Sequence, residues 1–359
     1  MTDDNAELNK VSLRRRMIMQ GAPALVAAAG MAAMAKPALA DMGKNGPLPA
    51  HKKWQLVFVN HVTTNPFFVA TQYGIQDACD YFGCGYQWTG SETAVVGEMV
   101  NAMDAAIAAK ADAIGVCIVD PTAFNEPTAR ALQAGIPVFA YNADAPANSG
   151  NKRLAYIGQD LFNSGFQMGN RIVDLVGSGH VGLFIATPGQ LNIQPRIDGA
   201  IAAIKASGKP ITYDSIASGA TLDEELPKIK AYYLGNQSVK GMFAVDAGST
   251  QCVGQVIKES GLRAKGIYGG GFDLVPRTLE YIDQGVLDFS IDQQPYLQGF
   301  YTVMEMVMFL SSGGLVGPAD INTGLKFVTK ASVAPYLSTK TRFEGDSTVQ
   351  QVVPRSGAI

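Results

Sequence analysis

From Trp54 to about residue 330, short apolar runs alternate with segments of helical length, and nothing else in this sequence restricts its fold so tightly. Runs such as WQLVFVNH (54–61), AIGVCIV (113–119) and PVFAY (137–141) are too continuously apolar to keep one face in water. Strands of that kind belong to parallel sheets covered by helices on both sides. The spacing predicts strands at 54–61, 85–89, 113–119, 137–141 and 154–157, with helices at 67–82, 94–110 and 122–134 between them. Asp120-Pro121 and Gly135-Ile136-Pro137 supply the stops. A second series follows: strands at 180–186, 211–216, 241–245, 266–270 and 287–291, and helices at 160–176, 193–206, 222–235, 247–260 and 275–284. A helix at 295–312 and a strand at 325–330 complete it. Two successive five-strand units predict an α/β protein of two doubly wound, Rossmann-like lobes, which bind ligands beyond the carboxyl ends of their strands.

Residues 1–40 stand outside this rhythm and read as an export signal. Arg14-Arg15-Arg16 precedes an uncharged, Ala- and Gly-rich run from Met17 to Ala35, and Ala38-x-Ala40 suits a signal peptidase, placing the cut before Asp41. The arginine run, the weakly apolar core and Lys36 near the cut favour twin-arginine (Tat) export over the Sec route. An uncleaved anchor is the lesser alternative, since Ala and Gly partition poorly into lipid. No Cys precedes Cys79, so a lipid-anchoring motif is lacking. The leader removes five basic residues (Lys10, Arg14, Arg15, Arg16, Lys36) and three acidic ones (Asp3, Asp4, Glu7) from totals of 28 and 31, so the exported chain is more acidic than the formal net charge of −3. Residues 41–53 form a polar linker.

Composition excludes several function classes. A mildly acidic chain without a basic block outside the leader is not a nucleic-acid binder. Four Cys and three His make neither a disulfide framework nor a metal array, and Cys117 reads as a buried mid-strand apolar residue. There is no phosphate loop, no Gly-x-Gly-x-x-Gly after the first strand, no nucleophile elbow and no zinc-protease helix motif. His51, His61 and His180 have no evident partners and read as surface or structural. Gly269-Gly270-Gly271 lacks the spacing of a phosphate cradle and reads as relief of crowding at a strand end. Nothing nominates a nucleophile or a base, so no catalysis, cofactor or metal is expected.

What does recur is polar residues just past strand ends. Asn65-Pro66-Phe67-Phe68 follows the first strand and Asn142 the fourth. Asp246, Asp273 and Gln293 follow strands 241–245, 266–270 and 287–291, and Arg196 stands early in the helix after 180–186. Any one of these reads as a turn or cap residue. Six at equivalent ends of both units predict one shared cleft.

In their order and spacing, NPFF (65–68), VFAYNADAP (138–146), RIDGA (196–200), GMFAVDAGS (241–249), GGGFD (269–273) and SIDQQP (290–295) give the chain a resemblance to the periplasmic sugar-binding proteins of the ribose/galactose-binding family, the solute receptors of ABC importers. The resemblance implies the type I periplasmic binding protein fold, with lobes joined by a multi-crossing hinge near 157–160, 292–296 and 315–325. It implies an N-terminal lobe of 54–158 plus 294–322 and a C-terminal lobe and tail of 159–293 plus 323–359. It places ligand contacts on Asn65, Phe67, Phe68, Asn142, Arg196, Asp246, Asp273 and Gln293, with Gln190 and Asn192 as further candidates. Ala143 stands where relatives carry Arg or Lys, and Ala200 where Phe is usual. The implied function is capture of a small neutral sugar or polyol by a periplasmic monomer that serves an inner-membrane permease and ATPase. A ligand-binding signalling receptor is the alternative, and a transcription repressor of the same fold would need a DNA-binding helix pair where the leader stands.

Overall fold

The computed structural model describes residues 50–315 and 317–337. The expected leader, most of the linker and the last residues of the expected tail lie outside the described residues. The chain divides into two units at Lys52/Lys53, and the architecture below is that of the second.

Two six-stranded sheets organise it. The first contains β1 (Gln55–Asn60), β2 (Gly85–Gly90), β3 (Ala113–Val116), β4 (Val138–Tyr141), β5 (Tyr156–Gly158) and β11 (Asp320–Asn322). Its order is β11-β5-β4-β3-β1-β2, parallel throughout. The second contains β6 (Gly179–Ile185), β7 (Ile211–Ala217), β8 (Gly241–Ala244), β9 (Tyr268–Phe272), β10 (Phe289–Asp292) and β12 (Lys326–Val328). Its order is β12-β10-β9-β8-β6-β7, and only β12 runs antiparallel to its neighbour. Each sheet with its helices is called a lobe below.

The second sheet shows why its strands are apolar without interruption. Leu183 and Phe243 face one core with Met168, Ile172 and Ile197. Their chain neighbours Phe184 and Ala244 face another, with Val253, Ile257 and Ile282. Successive strand residues point to opposite faces, so a sheet covered on both sides needs apolar residues at every position.

Helices α1 (Phe68–Phe82), α2 (Val96–Ala108) and α3 (Asn125–Gln133) belong to the first sheet, and α4 (Leu161–Val176), α5 (Gln194–Ala206), α6 (Leu222–Gly235), α7 (Ala247–Glu259) and α8 (Pro276–Asp283) to the second. The long α9 (Pro295–Ser312) follows β10 of the second sheet but packs on α1 of the first. Glycines set that seam: a Cβ on Gly74 would strike the Tyr296 carbonyl, and one on Gly299 the Thr71 carbonyl. The α4–α5 seam is built alike, with Gly165 against the backbone of Arg196 and Gly199 against that of Phe162. Among the described residues the chain passes between sheets three times: between β5 and α4, between β10 and α9, and between β11 and β12.

Several local expectations are corrected. The strand expected at 113–119 ends at Val116, so Cys117 lies just beyond it, though fully buried. Cys84 follows the α1 cap at Gly83, and all four cysteines are free and buried. Strand β11 and the short α10 (Ala334–Leu337) were not anticipated. Among the described residues no helix is long and apolar enough to cross a membrane.

Candidate functional site

The carboxyl ends of both sheets face one cleft. An inner recess of about 50 Å³ is lined by His61, Asn65, Phe67, Phe68, Asn142, Asn192, Arg196, Asp246, Asp273 and Gln293, among others. An outer space of about 250 Å³ shares His61, Asn65, Asn192 and Asp246 with it and adds Glu92, Thr187, Glu225 and Gln251. Of the ten residues singled out from sequence, all but Gln190 meet at the recess.

Arg196 is its only guanidinium. It sits in the first turn of α5, just past Pro195, and is 2% exposed. One Nη donates to the Val245 carbonyl at 2.9 Å, the plane lies 4.2 Å over the Phe272 ring, and Nε has no partner. Burial pulls its pKa down from the ordinary value, while Asp273 and Asp246 push it back up. The charge is thereby held in place with donors to spare.

Asp273 and Asn142 are both buried and both in left-handed backbone conformation, at φ 75° and 64°. Non-glycine residues held there at a cleft are a recurrent sign of a site. Asp273 accepts from Gln293 Nε2 at 2.6 Å, and burial raises its carboxyl to about 6 against the opposing pull of Arg196. Asn142 donates to Gln298 Oε1 at 3.1 Å and to Gln293 Oε1 at 3.4 Å. Gln293 thus joins the two strand ends.

Asp246 does the ordinary work of an N-cap as well as lining the cleft. One carboxylate oxygen accepts from the Ser249 N–H at 2.9 Å and the other from the Ala186 N–H at 3.0 Å. Glu225, buried beside it, is pushed up to about 9 by burial and by Asp246, and its Oε1 accepts from Ser249 Oγ at 3.2 Å.

On the other wall, Asn65 Oδ1 accepts from the Phe67 N–H at 3.0 Å, turning the chain into α1. Phe67 and Phe68 meet edge to face at 4.7 Å. Gln190 does not line the recess: its amide donates to the Ala94 carbonyl at 3.0 Å and its oxygen accepts from Thr187. With the Leu191 N–H donating to Val119 O at 2.9 Å, this loop joins the two lobes at the mouth. Ala143 is fully buried and outside the lining.

His61, read from sequence as surface or structural, is the residue that reading missed. It follows β1 directly, is 6% exposed and lies 3.1 Å from Asn192 Nδ2 of the other lobe. Burial, then Arg196, lowers its pKa to about 3, so it is neutral. The available signal was its place at a strand end, the same one that identified its neighbours.

The model of the periplasmic binding protein domain matches residues 56–314. A xylose/arabinose-binding protein of Sulfolobus acidocaldarius is 51% identical over 315 residues, covering 84% of this chain and 77% of its own length. Two solved structures share the fold. A solute-binding protein from Burkholderia graminis in complex with D-arabinose superposes with a TM-score of 0.75 at 24% identity, over 80% of this chain and 99% of that one. One from Agrobacterium vitis with α-D-tagatopyranose gives 0.74 at 23% identity, over 82% and 100%.

Proposed function

The chain belongs to the periplasmic binding protein family, and on that footing we propose that it is the substrate-binding component of an ABC importer, taking a neutral sugar or polyol of pentose size between its lobes. The observation that carries this is the 51% identity to a xylose/arabinose-binding protein across 84% of the chain. The chemistry of the recess supports it. Arg196 offers an unused donor, Asn192, Asp273 and Asp246 offer acceptors, and Phe67 offers an apolar face for the C–H side of a sugar ring. Two carboxylates against one guanidinium disfavour an anionic ligand, whose added charge would be desolvated without a cation to match.

The ligand closes the lobes because it touches both and so binds the closed state better. The three crossings serve as the hinge, and they are tied to one another. Gln159 Nε2 donates to Gly324 O at 2.9 Å, and Thr323 Oγ1 to Gln293 O at 2.8 Å. The protein acts as a monomer without catalysis, exported through the leader that ends at Ala40 and delivering its ligand to a membrane permease and ATPase. Isothermal titration of the purified chain with D-xylose, L-arabinose, D-ribose 5-phosphate and L-glutamate tests the reading. Saturable binding confined to the neutral sugars is expected; selective binding of the phosphate or the amino acid overturns it.

A further inference from the structure

Three buried polar atoms at the recess have no partner among the described residues: His61 Nδ1, Asn192 Oδ1 and Arg196 Nε. Their residues line the same small space. Buried donors and acceptors are almost always paired in folded proteins, so three omissions around one recess mark where an occupant supplies the missing partners.

The geometry also fixes their roles. Asn192 Nδ2 can only donate, so His61 Nε2, 3.1 Å away, accepts, and the ring proton resides on Nδ1. The open positions are therefore two donors, His61 Nδ1–H and Arg196 Nε–H, and one acceptor, Asn192 Oδ1. Hydroxyl groups, which both donate and accept, complete all three. The imidazole is oriented by Phe68, which it meets edge to face at 5.3 Å. His61 follows the first strand of one lobe and Asn192 precedes the first-turn arginine of the other, so their contact spans the cleft.

We propose that His61 and Asn192 form a cross-lobe pair that reads the ligand, His61 Nδ1–H donating to one hydroxyl of a neutral polyhydroxylated molecule and Asn192 Oδ1 accepting from another. The proposal deepens the sugar-binding function and rests on it. Each side chain orients the other through the bond between them, and that bond forms only when the lobes meet. A ligand lacking either hydroxyl leaves a buried polar atom unpaired, which is the stringent form of discrimination. Because the imidazole stays neutral, it presents the same donor throughout the neutral pH range.

The test is titration of D-xylose, L-arabinose and the 2-, 3- and 4-deoxy forms of D-xylose into wild type, His61→Phe, Asn192→Leu and the double variant, with a melting curve for each. His61→Phe keeps an aromatic ring against Phe68 and removes both nitrogens. It should melt near wild type and bind the better pentose about 10- to 100-fold more weakly. One deoxy sugar should lose affinity on wild type and lose nothing further on His61→Phe. The double variant should lose less than the product of the single losses. If His61→Phe melts early, the deoxy comparison on Asn192→Leu decides instead. Wild-type pentose affinity in both single variants, or equal deoxy penalties in wild type and variant, overturns the pair while leaving the sugar-binding function standing. Failure of wild type to bind either pentose overturns that function and the pair with it.

Discussion

Asn142 and Asp273 are counterparts in the two lobes. Each is the residue immediately after a central strand, each is left-handed, and each N–H still donates to the neighbouring strand, Asn142 to Ile157 O at 3.0 Å and Asp273 to Ile291 O at 2.8 Å. Both turn their side chains to Gln293, one donating to its oxygen and one accepting from its nitrogen. The same strand-end turn, built twice, gives the cleft an amide on one side and a carboxylate on the other.

That carboxylate makes stability depend on pH. The folded pKa of Asp273 is about 6, raised from 3.8 by burial. The protonated form is therefore the one folding favours. Its contribution is fully present below about pH 3.8 and is lost as pH rises through about 6. Asp273→Asn removes this dependence. Relative to wild type, the free variant should gain about 2 kcal/mol between pH 4 and pH 7, read from denaturant midpoints. Parallel pH curves for the two proteins would refute it.

Arg196→Ala deletes the guanidinium that bonds Val245 O and covers Phe272, and leaves Asp273 without its cation. A loss of about 2–5 kcal/mol in sugar binding is expected, enough to make titration heats vanish at ordinary concentrations. Normal affinity in both Arg196→Ala and Asp273→Ala would dismiss the recess as the binding site.

Gly165 acts on the same arginine from outside the cleft. Gly165→Ala would drive a methyl into the Arg196 backbone and spread α4 from α5. It should cost about 1–3 kcal/mol of stability and weaken sugar binding as well. Gly97→Ala in α2 meets nothing within 4 Å and should stabilise by about 0.5–1 kcal/mol. Thermal melts of the two variants with and without sugar distinguish the effects.

The cysteines should be inert. Burial raises Cys79 to about 12, Cys84 to about 11 and Cys252 to about 12, and Cys117 higher still. A thiol reagent at pH 8 should label none in the native protein and all four after unfolding. Native labelling of Cys79 or Cys84 would contradict the packing of α1 on β2.

Hinge closure should be visible in solution scattering as a smaller radius of gyration when D-xylose or L-arabinose saturates the protein. Tight binding without any change in the scattering curve would argue for a preformed, rigid cleft.

The sequence made the sheets legible because strands covered on both faces, such as β3 and β4, announce themselves as unbroken apolar runs. Strand β11 was invisible for the opposite reason. Its three residues, Asp-Ile-Asn, lie on an exposed edge where no burial pattern is imposed. The recess was legible where a residue followed a strand end, which is why Asn142, Asp273 and Gln293 came together as expected. Gln190 fails that logic: a loop residue has no periodicity to aim it, and its amide is taken by the Ala94 carbonyl. His61 meets the strand-end criterion, but its partner, Asn192, is 131 positions away, so nothing local in the sequence pairs the two.

The glycine seam between α1 and α9 bears on how the chain acquires its shape. The first lobe needs a helix and an edge strand synthesised only after all of β6–β10, so it cannot be finished in the order the ribosome emits it. Until about residue 312 has appeared, the surface of α1 that Gly74 keeps flat has nothing to rest on. Contacts so distant along the polypeptide slow folding and leave half-built intermediates with uncovered apolar surface. Shortening the chain before α9 should therefore not liberate one intact half; it should leave the amino-terminal sheet in want of its cover and prone to aggregate.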